Sequence, residues 1–362
     1  MFLLAAGLGE RLRPLTEYRP KPLVPVANRP LIEYTINFLK SHNYRDLVIN
    51  LHHLPGQIQE TLGDGTALDV RIEYSLEPEI LGTAGGLKKA EALLGKETFL
   101  AINSDILLRL DLGAALRFHR ERGALATLLI RKYSETPRQP DLAVDASGRI
   151  RRFLSHGAEP DEPGLTNALF TGVTFMEPEM LKEFPPRRYC SISEEVYPRL
   201  VQGEADIYGW WTEGDWRDVG TPAAYLRANW EVLGGKYSPR AGTEEPLQSG
   251  RPIQEVRHPR GAEIPAVEIK EPVLIGNACR IEPGSRLGPN VVIGPGGRVG
   301  RNVRLSQSLL WENVEVGDGC TARRVIIGPG VQVPKDAKLQ SEMLVTRNLE
   351  LRGFPLEPTD KV

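Results

Sequence analysis

The sequence predicts an α/β protein in two parts. A doubly wound, mixed but mostly parallel sheet should occupy residues 1–233, and a parallel β-helix residues 263–345. In the first two-thirds of the chain, short apolar runs alternate with stretches of helical spacing, as strands and crossover helices do in a layered sheet. After that, an aliphatic residue followed mostly by glycine returns every six residues, at Ile275-Gly276, Ile281-Glu282, Leu287-Gly288, Ile293-Gly294, Val299-Gly300 and Leu305-Ser306. That beat belongs to a coil whose turns stack like residues on one another. Between the two parts, residues 234–262 are rich in Gly, Pro and charge and read as a linker.

The elements follow in order. Phe2 to Ala5 is an apolar run feeding a glycine loop. Leu31 to Lys40 has helical spacing. Strands are expected at Asp46 to Leu51, Asp69 to Ser75, Thr98 to Asn103 and Ala124 to Arg131, and helices at Gly86 to Leu94, Leu112 to Arg122 and Glu194 to Gln202. Thr221 is a natural N-cap with Pro222 at the first helical position. The six-residue beat slips near Trp311, where a loop or irregular coil is expected, and resumes at Val316-Gly317, Ile327-Gly328 and Val333-Pro334. Residues 346–362 read as a tail or a final packing strand.

Lys plus Arg number 45 against 47 Asp plus Glu in 362 residues, so net charge offers no reason to expect nucleic acid or an acidic membrane as partner. Cys190, Cys279 and Cys320 have no metal or disulfide spacing and read as buried thiols of a reducing compartment. The opening apolar run is short and lacks a basic leader, and no stretch is long enough to span a bilayer. A soluble, cytoplasmic protein is expected.

The chemistry concentrates in residues 2–23, FLLAAGLGERLRPLTEYRPKPL. Gly7 and Gly9 let bare backbone approach a ligand, and successive N–H groups in such a loop suit a phosphate. Arg11, Arg13 and Lys21 add cations, Arg as a fork and Lys as a point charge. Pro22 is expected to hold Lys21 extended. No Gly-Lys-Ser/Thr follows and the third spaced glycine is missing, which excludes the Walker A loop and the dinucleotide fingerprint. Asp105 closes an apolar strand at Asn103-Ser104-Asp105, where a carboxylate can hold Mg²⁺; on the residues alone it is as readily a turn former or helix cap. Asp218 alone reads as a turn residue. Leu81-Gly82-Thr83-Ala84-Gly85-Gly86-Leu87 is a second glycine loop before a helix. Glu194 and Glu195 stand at a helix start, which favours acids without any ligand.

The opening string resembles the signature of the sugar-1-phosphate nucleotidyltransferases, LAAGxGTRLxPLT followed by PKPL, with Glu10 where Thr is common and only Met1 and Phe2 ahead of Leu3. Trp216-Arg217-Asp218-Val219-Gly220-Thr221-Pro222 is similar to the family's W-x-D-[IV]-G-[TK]-P segment. The six-residue repeat resembles the left-handed β-helix appended to many members. The resemblance implies a Rossmann-like nucleotidyltransferase sheet and an enzyme that condenses an NTP with a sugar 1-phosphate. It implies Asp105 and Asp218 as Mg²⁺ ligands and Arg11 and Lys21 as catalytic cations. Leu3, Ala5, Ala6, Gly7, Gly9, Arg11, Gly82, Thr83, Ala84 and Gly85 would line the nucleotide, and Thr171, Gly172 and Glu194 the sugar. The family's Glu-Lys-Pro is absent; Arg151, Arg152 and His156 lie in that region. The LGTAGGL loop and β-helix together look most like mannose-1-phosphate guanylyltransferases. Uridylyl- or thymidylyltransferases acting on glucose 1-phosphate or an amino-sugar 1-phosphate are the alternative. A non-catalytic sensor of sugar nucleotides is the reading from another class. The β-helix would pack or oligomerise rather than carry acyl transfer, because the last histidine, His258, precedes the repeats.

Overall fold

A computed structural model describes residues 1–133, 140–159, 162–237, 266–347 and 350–356. Residues 238–262 of the expected linker lie outside the described residues.

The sheet is built from the centre outwards. β1 (Phe2–Leu4) pairs in parallel with β2 (Asp46–Leu51) on one side; β2 in turn pairs with β3 (Arg71–Leu76). On its other side β1 pairs in parallel with β4 (Phe99–Asn103). Every position of β1 has a layer above or below it. Phe2 belongs to one apolar cluster and Leu3 to the other, and Phe99 and Leu100 divide the same way. Beyond β4 and a short strand β5 (Ile106–Arg109), the sheet turns antiparallel. β6 (Ala126–Lys132), β7 (Leu142–Val144) and β8 (Ile150–Phe153) are joined by the long β9 (Thr166–Met176), which runs against β4, β6 and β7. β10 (Ile207–Trp211) extends β6 in parallel. Outside this sheet, β11 (Asp215–Asp218) forms an antiparallel ribbon with β5.

The helices α1 (Leu31–Ser41) and α3 (Leu112–Arg122) cover one face; α2 (Gly82–Lys89) and α4 (Tyr197–Gln202) cover the other. Two expectations change here. The second glycine loop is not a turn ahead of its helix: helix begins at Gly82 and breaks at Ala90 before the turn Glu91–Leu94. Its start is held from outside, with the N–H groups of Ala84 and Gly85 on the carbonyl of Cys190 (3.0 and 3.4 Å). The helix expected from Glu194 opens as a single π turn, Ile192–Val196, and becomes α-helical at Tyr197. α5 (Pro222–Leu233) starts as expected, Thr221 Oγ1 accepting from Ala224 N at 3.2 Å.

The second part is a three-sided parallel β-helix. Ile275 pairs with Ile293, eighteen residues on, but Ile293 pairs with Leu310, seventeen on, and the coils keep that shorter period. The slip near Trp311 is therefore no loop. One corner drops a residue between Leu305 and Leu310, with Gln307 turning at φ 51, and the same corner recurs at Arg324 and Ser341. Past residue 345 the chain continues as the strand Glu342–Arg347 and returns antiparallel as Glu350–Pro355.

One side of the prism is covered. Val292, Leu309, Ile326 and Met343 point outwards into a cluster with Leu12, Leu15, Val24 and Val26 of the amino-terminal stretch and with Tyr225 and Val232 of α5. Their neighbours Ile293, Leu310, Ile327 and Leu344 point inwards. Fully burying such side chains is worth about 1.5–3 kcal/mol each, so this contact is a core rather than a touch between separate bodies.

Candidate active site

β1, β4 and β11 bring the chemistry to one rim. Ser104, just after β4, donates from both its N–H (3.1 Å) and its Oγ (2.7 Å) to the carbonyl of Leu4, tying the turn that carries Asp105 to the first glycine loop. Asp218 ends β11 opposite Ile106, and Val219 N–H donates to the Asp105 carbonyl at 3.1 Å. A two-stranded ladder thus sets the two carboxylates side by side although 113 positions separate them in sequence.

Lys21, 7 % exposed, pairs with Asp105 and lies 3.9 Å from Asp218 Oδ1. Arg11 Nη2 lies 3.6 Å from Asp218 Oδ2. Lys21 is not extended as expected. It opens a 3₁₀ turn, Lys21–Leu23, and Pro20 is the extended residue (ψ 144). Pro22 is accommodated because a first helical turn needs no N–H from it. Gly220 makes the cluster possible: a Cβ there would stand 2.5 Å from Arg11 Nη2 and 2.6 Å from Asp218 Oδ2.

Two cavities of about 430 Å³ open on this rim and share Asp105 and Arg11. The first is lined by Ala5, Gly7, Gly9, Arg11, Lys21 and Gly220 among others. Gly7 faces open space, whereas Gly9 has φ 64 and a Cβ there would strike Thr16. Leu3 is wholly buried in the core and lines neither cavity; Leu4 lines both. Leu3 is thus a core residue, because alternate residues of a strand face opposite sides. Ala6, 7 % exposed, lines neither cavity.

The second cavity takes Thr83, Asn103, Thr171, Gly172, Ser193, Trp216 and Asp218. Gly172 (φ 79) sits in a bulge of β9, where a Cβ would be 2.5 Å from Asn103 Nδ2. The Thr171 hydroxyl is spent on the carbonyl of Leu129 (2.7 Å), and its own carbonyl accepts from Trp216 Nε1 (2.8 Å). Glu194 is exposed and stays outside the cavity, which Ile192 and Ser193 reach instead, because the π turn rotates the helix start. Gly82, Ala84 and Gly85 do not line it; Thr83 does, and its Oγ1 accepts from Ile192 N (2.7 Å). Arg152 bonds Asn167 from a buried position away from the cavity, while its neighbour Phe153 lines it.

Sequence reasoning missed three features. Asp141 lines the second cavity, with Oδ2 accepting from Phe170 N (2.8 Å). Trp216 walls the same space. A buried relay joins the two glycine segments: Ala5 N donates to Asn50 Oδ1 (2.8 Å), Asn50 Nδ2 to Glu77 Oε1 (2.7 Å), and Leu81 N to Glu77 Oε2 (3.0 Å). The signal was available in part, since Asn50 is a polar residue inside the apolar run from Leu47 to Leu51.

Among the described residues, no group of three or more His, Cys, Asp or Glu is disposed to hold a metal. Two adjacent carboxylates answered by two cations suit an ion that takes its remaining ligands from substrate phosphates, as Mg²⁺ does. The same cations suit a polyphosphate.

The nucleotidyl transferase family profile matches residues 1–234, and the profile of the EIF2B subunit epsilon LbH domain matches residues 262–353. The chain belongs to the nucleotidyl transferase family. This nucleotidyltransferase carries a left-handed β-helix, as its repeat led one to expect. It is 30 % identical to a UTP–glucose-1-phosphate uridylyltransferase of Synechocystis, over 88 % of this chain and 84 % of that one. It is 32 % identical to a mannose-1-phosphate guanyltransferase of Aspergillus fumigatus over 94 % and 88 %, and 28 % identical to a mannose-1-phosphate guanylyltransferase of Mycobacterium tuberculosis over 89 % and 82 %. Its fold also matches HddC of Yersinia pseudotuberculosis, solved with GMP-PN, at TM-score 0.55 and 19 % identity over 64 % of this chain and 98 % of that one. Among the described residues, no helix is long and apolar enough to cross a membrane.

Proposed function

We propose that the chain condenses an NTP with a sugar 1-phosphate to give an NDP-sugar and pyrophosphate, with GTP and mannose 1-phosphate as the preferred pair. The observation that carries the reading is the Asp105–Lys21–Asp218–Arg11 cluster at the point where the two cavities meet. A sugar phosphate oxygen attacks the α-phosphorus, a P–O bond forms in line, and the bond to the departing pyrophosphate breaks. No side-chain nucleophile is needed, so the protein contributes position and charge. Arg11 and Lys21 bind the anionic oxygens and neutralise charge on the leaving group. The first glycine loop holds the nucleotide, and the cavity past Gly172 holds the sugar. Asp105 and Asp218 would hold Mg²⁺, which would supply further neutralisation of phosphate charge.

The guanylyl and mannose preference follows the similarity to enzymes bearing that name. Similarity to the Synechocystis uridylyltransferase favours a second reading, UTP with glucose 1-phosphate. The division proposed is a catalytic unit over 1–233 and a β-helix over 263–345. Three buried free thiols support a cytoplasmic setting. Self-association through the β-helix would use the sides left uncovered, which carry Arg280, Arg298 and Glu315. Light scattering in solution tests it, a monomer at all concentrations speaking against it.

The reaction is tested by pyrophosphate release across GTP, UTP, dTTP and ATP against mannose, glucose and amino-sugar 1-phosphates. Highest kcat/KM for GTP with mannose 1-phosphate is expected. A UTP and glucose 1-phosphate optimum selects the second reading. Silence with every pair overturns both and favours a non-catalytic sensor.

A further inference from the structure

The segment that carries Lys21 is gripped on both sides of the lysine by groups belonging to, or bonded to, the β-helix. Upstream, Arg19 lies over the Trp311 ring, 4.9 Å from its centroid, and forks onto both carboxylate oxygens of Glu312. Downstream, the carbonyl of Pro25 accepts from the Tyr225 hydroxyl at 2.5 Å, and that hydroxyl accepts from Trp311 Nε1 at 3.0 Å. Further on, Asn28 Nδ2 donates to the carbonyl of Ile293 at 2.9 Å. Trp311 and Tyr225 are both buried, at 1 % and 0 % exposure.

Trp311 departs from the repeat in a specific way. It follows Leu310 where the coils before and after have Gly294 and Gly328, after Ile293 and Ile327. Packing alone calls for apolar contact, which Leu309 and Ile326 already supply. It does not call for a carboxylate bonded to Arg19, a carbonyl bonded to Asn28 and an indole N–H bonded to the Tyr225 hydroxyl that holds Pro25. Such directed bonds, charge-assisted between Arg19 and Glu312, hold a backbone in one place far better than apolar contact does.

We propose that Trp311 and Glu312, with Tyr225 as the link, are positioning residues for Lys21. The β-helix fixes the chain around residues 19–28 so that the flexible lysine stem delivers its ammonium to the Asp105–Asp218 pair. The inference rests on the role given to Lys21 above. A lysine carries four rotatable bonds, so its backbone anchor decides how often Nζ stands in the reactive position. Displacements on the order of 1 Å from remote changes cost up to about a hundredfold in rate.

Steady-state kinetics of the full chain test it with Tyr225→Phe, Glu312→Gln and Trp311→Phe, each with a thermal melt. Tyr225→Phe and Glu312→Gln keep the side-chain shape and remove only directed or charged bonds, so folding should survive; Trp311→Phe also trims a buried ring, and its melt reports that cost. The expected result is a kcat lower by about five- to thirtyfold with KM for the sugar 1-phosphate within about twofold. In a Lys21→Ala background the same substitutions should lower kcat no further, and Arg19→Glu combined with Glu312→Arg should recover part of the loss of either alone. Wild-type kcat in folded variants overturns the inference, as does an equal loss in the Lys21→Ala background. If Lys21→Ala is impaired and the clasp variants are silent, only this inference fails. If Lys21→Ala turns over normally, the reaction assigned to the cluster fails with it.

Discussion

Glycine serves one purpose around the site of the α/β part and another at a recurring position of the β-helix. At three places around the site of the α/β part it makes room for polar side chains: Gly220 for Arg11 and Asp218, Gly172 for Asn103, Gly86 for Glu77 and Asn50. At Gly276, Gly294 and Gly317 of the β-helix it makes room for the backbone of the next coil. A Cβ on Gly294 would stand 2.5 Å from the carbonyl carbon of Trp311, and one on Gly317 2.6 Å from Lys335 N. A repeated geometry writes glycine periodically, and a unique geometry writes it once. Losing the first kind should damage chemistry, and losing the second kind should damage stability.

The largest effect expected is in the cluster itself. Asp105→Ala and Lys21→Ala should each lose about a hundredfold or more in turnover with the melt little changed, because each removes a charge placed for the reaction. Near-normal turnover would remove the α/β half of the contrast. Gly220→Ala comes next. It should cost about tenfold in kcat/KM by pushing Arg11 from Asp218, with stability nearly intact. Gly317→Ala is the counterpart: a stability loss of about 1–3 kcal/mol by denaturant titration, since backbone cannot swing aside as a side chain can, and unchanged kcat per folded molecule. A kinetic defect there, or a stability defect at Gly220 alone, would break the contrast.

The smallest effect concerns the sheet core away from both. His119, 1 % exposed, lies 2.8 Å from Thr127 Oγ1 and 3.0 Å from Glu177 Oε1. Burial holds its pKa below the ordinary 6.5, against the pull of Glu177. As pH falls below 6.5 the unfolded chain takes up a proton that the folded one resists, so stability declines with acidification, by at most about 1.4 kcal/mol per pH unit. Well above 6.5 His119 is neutral in both states and the effect vanishes. Unfolding curves of His119→Gln should be flatter just below that pH than those of the parent chain.

Periodicity made most of the fold readable. The helix expected at Leu112 to Arg122 is found at those bounds, capped by Asp111, and the strand expected at Asp46 to Leu51 is found as β2. What periodicity cannot carry is a residue's orientation once tertiary contacts decide it. Leu3 and Leu4 differ only in which side of β1 they face. Glu194 was displaced by a π turn that nothing in Ser191-Ile192-Ser193-Glu194 announces. The meeting of Asp105 and Asp218 came from the family likeness rather than from spacing, because a ladder between β5 and β11 leaves no local mark. One signal was present and unread. On the covered side of the β-helix the strands are doubly apolar, as in Val291-Val292-Ile293, Leu309-Leu310 and Ile326-Ile327, whereas the open sides read Arg298-Val299 and Arg304-Leu305. An apolar residue in both registers marks a strand buried on both faces.

The central claim is that Asp105 and Asp218 share one divalent ion with substrate phosphates. Its most direct test is an anomalous-scattering map from crystals grown with Mn²⁺, a non-hydrolysable GTP analogue and mannose 1-phosphate. The account predicts a manganese peak within coordination reach of both carboxylates, with the Lys21 ammonium moved from Asp105 onto phosphate oxygen. A metal peak remote from either carboxylate, with nucleotide bound, would contradict it.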